Sequence, residues 1–89
     1  MKSKAPAKTG AELRRRVLAE YQIDSAGALA LLDCACAALD QALAAETILA
    51  REGLTVPGAR GPRPHPCTAI GRDARNRLIN SLRTLNLEP

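Results

Sequence analysis

A chain of 89 residues makes one domain, and a domain this small buries only about 60% of the surface its unfolded form exposes. With no Trp or Phe, a single Tyr, 17 Ala and 13 Leu, the composition excludes a core of stacked rings, favours helix and leaves a thin interior. The net charge of +4 hides basic ends around an acidic middle: Lys2, Lys4, Lys8, Arg14, Arg15 and Arg16 face Glu12 alone in residues 1–16, Asp24, Asp33, Asp40, Glu46 and Glu52 outnumber Arg51 in residues 24–52, and six Arg face Asp73 and Glu88 in residues 53–89, a layout that suits a polyanion as well as plain solvated surface.

Residues 1–9 (MKSKAPAKT) have no periodicity and read as a disordered basic arm. A first helix is predicted over about 11–21, started by Thr9 and Gly10, with Leu13, Val17, Leu18 and Tyr21 at helical spacing. Gln22 and Ile23 connect it to a long second helix over 25–52, capped by Asp24 or Ser25 and closed by Gly53. On that helix Leu29, Leu32, Cys36, Leu39 and Leu43 step by three and four, a coiled-coil-like seam. Ala28, Leu31, Ala35, Ala38, Ala42 and Ala45 form a second, small-residue strip. Two strips serve either the two other helices or contact between copies. The thin core favours copies, so the seam is the expected oligomer interface.

Residues 53–66 (GLTVPGARGPRPHP) hold four of the six Pro and three of the six Gly, and are expected to form a loop made basic by Arg60 and Arg63. Pro66 suits the first turn of a third helix over about 67–85. Ile70, Ala74, Leu78, Leu82 and Leu85 would face inward, with Arg72, Arg75, Asn76 and Arg83 mostly outward. The expected fold class is all-α: a short helix, a long central helix and a C-terminal helix, forming a helical hairpin that oligomerises. No apolar run approaches the ~20 residues of a membrane span, and no apolar stretch follows the basic start, so neither a membrane nor a secretory signal is expected. Three cysteines without such a signal point to reduced thiols in a cytosol.

Catalytic chemistry finds no support. Cys34 and Cys36 form a Cys-x-Cys, and His65 and Cys67 add two possible ligands to a zinc site, but a helix points residues two apart to opposite sides, so Cys34 and Cys36 cannot chelate one ion, and buried structural thiols are expected instead. His65 is the sole histidine and has no nucleophile and carboxylate evident around it, so it is read as shaping a turn before Pro66. Asp33 and Asp40 lie about 10 Å apart along one helix, too far to share a metal. The loop glycines lack a following Gly-Lys-Ser/Thr, and no Lys lies beyond Lys8, so the chain is not read as an ATPase. No catalytic residue, metal or cofactor is expected.

The order of segments resembles the phage terminase small subunit family. A basic arm leads into Ala11-Glu12-Leu13-Arg14-Arg15-Arg16-Val17-Leu18-Ala19-Glu20-Tyr21, then a long Leu/Ala helix with an Asp near its middle (Leu31-Leu32-Asp33-Cys34-Ala35-Cys36-Ala37-Ala38-Leu39-Asp40). Ile48-Leu49-Ala50-Arg51-Glu52-Gly53, a Gly/Arg loop, His65-Pro66 and an Arg-rich helix follow, closing on Leu82-Arg83-Thr84-Leu85-Asn86-Leu87-Glu88-Pro89. Asn86 stands where the family often has Gly, and Asn tolerates the same left-handed backbone. The short length departs from the family pattern, and no separate DNA-binding domain is expected before the first helix. The resemblance implies a non-enzymatic protein of the host bacterial cytoplasm that binds viral double-stranded DNA, assembles as a homo-oligomeric ring and recruits or regulates a large terminase subunit. The cations expected at the DNA are Lys2, Lys4, Lys8, Arg14, Arg15, Arg16, Arg60 and Arg63. Two other readings fit the same residues: a small helical DNA-binding regulator, weakened by a second helix too long for a recognition helix, and a structural adaptor that touches only protein.

Overall fold

A computed structural model describes residues 6–86 as three helices and one small hairpin: α1 Gly10–Glu20, α2 Ala26–Glu52, β1 Thr55–Val56, β2 Arg63–Pro64 and α3 Pro66–Thr84. The molecule is all-α in class. Each helix begins where a side chain can take up an orphan backbone N–H. The Thr9 hydroxyl accepts from Glu12 N–H, the Ser25 hydroxyl from Ala28 N–H, and the His65 ring from Cys67 N–H. The capping choice left open between Asp24 and Ser25 falls to Ser25. Gly53 ends α2 with φ 86°, and Asn86 follows α3 with φ 61°, the left-handed region that Gly and Asn adopt most readily.

Both flanking helices run antiparallel to α2. Along α1, Gly10 meets Asp40, Arg14 meets Asp33, and Val17 packs with Leu32 and Cys36. Along α3, Gly71 lies against Ala45, Arg75 meets Glu46, and Leu78 packs with Ala35, Ala38 and Leu39. Small residues set the α2–α3 spacing: Ala38, Ala42, Ala45, Gly71 and Ala74 are all buried. Leu82 joins the Leu78 cluster and Leu85 the Val17 cluster, as the third-helix pattern predicts. Ile70 departs from that pattern and is 43% exposed, because α3 turns its Gly71–Ala74–Leu78 edge to α2 instead.

Three further expectations change. Residues 53–66 are not wholly irregular: Thr55 pairs with Pro64 and Val56 with Arg63 in an antiparallel ladder. Pro64 is tolerated because a two-stranded ladder is all edge. Residues 6–9 are not a free arm, since Ala7 packs against the Ala35–Leu39–Leu78 cluster. Finally, α2 is long and apolar enough to cross a membrane by length and composition, with mean hydropathy 1.5. A core helix has the same composition, and here Asp33 and Asp40 interrupt the run while the apolar seam faces α1 and α3.

Candidate nucleic-acid interface

The seam proposed for contact between copies is consumed inside the chain. Leu32, Cys36 and Leu39 are 0%, 7% and 5% exposed, and Leu29 and Leu43 are half-buried. The small-residue strip is spent the same way, with Ala35, Ala38, Ala42 and Ala45 buried. The reason is geometric: α1 and α3 both dock on α2, so the middle of each strip finds partners without a second copy. Leu32, Cys36 and Leu39 are core residues of the single chain, which corrects the oligomer-interface expectation for those three positions.

The cations divide by whether a carboxylate holds them. Arg14 Nε donates to Asp33 Oδ1 at 2.9 Å, and Arg16 pairs with Glu12. Arg75 reaches both Glu46 oxygens at 2.7 and 2.8 Å, and Arg72 and Arg51 make looser pairs with Asp73 and Glu52. The guanidinium of Arg77 donates to the Gln41 side-chain oxygen. Lys8, Arg15, Arg60, Arg63 and Arg83 are exposed, and among the described residues none of these five makes an ion pair. Lys2 and Lys4 lie outside the described residues. Of the triplet Arg14–Arg15–Arg16, therefore, only Arg15 is uncommitted.

Two polar ties hold this arrangement, and the sequence reading missed both. The first joins α1 to α2. Gly10 N–H donates to Asp40 Oδ1 at 2.7 Å, so a carboxylate sits at the positive end of α1. Asp33 and Asp40, too far apart to share a metal, are the two points that grip α1. The second tie is His65, the buried residue at the hairpin base, 7% exposed. Its Nδ1 accepts from Cys67 N–H at 3.0 Å, which places the ring proton on Nε2, and Nε2 donates to Glu52 Oε1 at 3.0 Å. Its backbone N–H donates to the Leu54 carbonyl at 2.8 Å. His65 thus fastens the end of α2, the first hairpin residue and the start of α3, rather than only shaping a turn. The hydrogen bond from His65, with a second from Arg51, holds the Glu52 carboxyl below its ordinary value. A signal for the tie was present in the sequence: a lone His directly before a helix-starting Pro, thirteen residues after an acid that ends the previous helix.

The thiols point apart as expected. Cys34 is exposed, Cys36 buried and Cys67 half-buried, all three free. Burial, reinforced by the Asp33 charge, pushes the Cys36 thiol up; Cys34 departs from the expectation of buried thiols because its side of α2 faces outward. Among the described residues no three His, Cys, Asp or Glu side chains are grouped to hold a metal. Comparison of the chain with protein-family models, with curated proteins and with solved structures found no match.

Proposed function

We propose that this chain is a phage terminase small subunit that binds viral duplex DNA without catalysing a reaction, and that it recruits or regulates a large terminase subunit in the host cytoplasm. The observation that carries the reading is the charge pattern on this helical frame. The chain carries a net charge of +4, and the carboxylates of Glu12, Asp33, Glu46, Glu52 and Asp73 are each engaged by an arginine of the same chain, while exposed Lys8, Arg15, Arg60, Arg63 and Arg83 make no ion pair among the described residues. Tyr21 is the one aromatic residue of the chain, too few rings for a stacking platform, which favours phosphate contact along a duplex over single-strand binding. The segment order described above supplies the family.

Ring assembly, the remaining part of the reading, must use surfaces other than the Leu32–Cys36–Leu39 seam, and would multiply a weak phosphate contact into useful avidity. Two measurements test the proposal together: the mass of the full chain in solution, and its binding to duplex DNA across a salt series. A ring that binds duplex with a steep salt slope supports it. A dimer that prefers one short operator points to the regulator, and a chain that ignores DNA at low salt points to the protein-only adaptor.

A further inference from the structure

We infer that the 54–64 hairpin is a preorganised contact for duplex-DNA phosphates, with Arg60 and Arg63 as the contacting groups and His65, backed by Glu52, as the positioning residue that fixes the hairpin to the helices. The inference rests on the DNA-binding reading and adds where on the chain the contact lies and what holds it in place.

Three observations carry it. No acidic residue occurs from position 53 to 72, the longest acid-free stretch after the start of α1. Arg60 and Arg63 are both exposed and without an ion pair among the described residues, whereas on and before α1 Arg14 and Arg16 are each held by a carboxylate and only Lys8 and Arg15 are left, on a stretch that also carries Glu12. A guanidinium already paired must break that pair to take a phosphate; an uncommitted one presents its planar fork directly. The third observation is rigidity. The base is tied by His65 N–H to Leu54, His65 Nδ1 to Cys67 N–H and His65 Nε2 to Glu52. The tip is closed by Gly61 N–H to the Gly58 carbonyl at 3.1 Å, and Gly61 takes φ 107°, which a side chain would resist. Pro57, Pro62, Pro64 and Pro66 fix φ at four more positions. A loop ordered before it meets its ligand does not lose that conformational freedom on binding.

The test uses the full chain, binding to a duplex followed by fluorescence anisotropy across a salt series. Changing Arg60 and Arg63 together to Ala should reduce the slope of log K against log salt by about 1.8, close to 0.9 for each lost phosphate contact. His65→Ala should weaken binding several-fold with the slope unchanged, because the same phosphates are met by a hairpin that must first be ordered. Amide exchange in residues 54–64 should accelerate in the same variant. His65→Asn keeps an acceptor for the Cys67 N–H and gives up the tie to Glu52; it should fall between, and it carries the same test if His65→Ala does not fold. A double Arg variant that binds with the wild-type slope overturns the hairpin as the contact and leaves DNA binding intact. A His65→Asn chain whose hairpin exchanges faster yet binds as tightly overturns the positioning role. No binding by the wild-type chain at low salt overturns the inference and the DNA reading together, and binding of polyglutamate in place of DNA, lost in the double Arg variant, assigns the hairpin to an acidic protein instead.

Discussion

Gly10 is the residue where a single added methyl has the most to displace. A Cβ there would press on the backbone carbonyl of Cys36 and lie 2.6 Å from an Asp40 oxygen, and the carbonyl belongs to the middle of α2, which cannot yield. Gly10→Ala should therefore push the start of α1 outward, lengthen its 2.7 Å bond to Asp40 and cost about 1–3 kcal/mol, the usual range for overpacking. Urea denaturation of the two proteins measures it. Asp40→Asn is the matched control: it keeps an acceptor and removes only the charge at the helix start, so its cost should be smaller, about 0.3–1 kcal/mol. Glu52 governs a pH effect of opposite location. Its pKa is lowered in the folded chain, chiefly by the His65 hydrogen bond and then by Arg51, so its contribution is fully present above the ordinary value of 4.5 and is lost as the pH falls through the depressed folded value. Amide protection of residues 54–65 should thus decline in acid below the ordinary carboxylate range. Glu52→Gln should flatten that decline, and an unchanged pH profile in the variant would count against the tie.

At the scale of elements, α2 and α3 were legible because local chemistry and period agree. Ser25 and Gly53 bracket α2, Pro66 opens α3, and each helix carries a 3–4 apolar pattern. The packing face of α3 was legible through Leu78, Leu82 and Leu85 but not at Ile70, since one helical face is about a hundred degrees wide and only the partner decides which edge is used. The hairpin was not legible: strands of two residues have no period to read. Nor was the grip of Asp40 on Gly10, which joins positions thirty apart and exists only once α1 has docked. At the candidate interface the cations could be counted in the sequence, but which of them stay free depended on tertiary pairing, as Arg14 and Arg15 show. The ranking of helix-stabilising features is testable. Ser25→Ala removes a cap at the exposed start of α2 and should cost about 1 kcal/mol. Leu78→Ala empties part of the α2–α3 contact and should cost about 2–5 kcal/mol. A reversed order in thermal melts would mean that α3 contributes little to the fold.

For the whole molecule, the burial of the Leu seam changes what its disruption means. Leu39 is 5% exposed inside one chain, so Leu39→Asp buries an uncompensated carboxylate in the core, at a cost of several kcal/mol. A domain of this size has a total stability of about 4–13 kcal/mol at 0.05–0.15 kcal/mol per residue, so the variant should lose helicity by circular dichroism rather than simply dissociate. A fully helical monomer from Leu39→Asp would restore the seam as an interface between copies. The grip on α1 has a consequence in time as well as in energy. An eleven-residue helix is marginal in isolation, and this one is attached through Gly10–Asp40, Arg14–Asp33 and the Val17 cluster, while α2 and α3 share the broader contact. α1 should consequently behave as a separate opening unit. Native-state hydrogen exchange should show its amides exchanging together, ahead of those in the α2–α3 pair, and Cys36, seated beneath Val17, should react with a thiol reagent at the rate of that opening rather than at the rate of global unfolding.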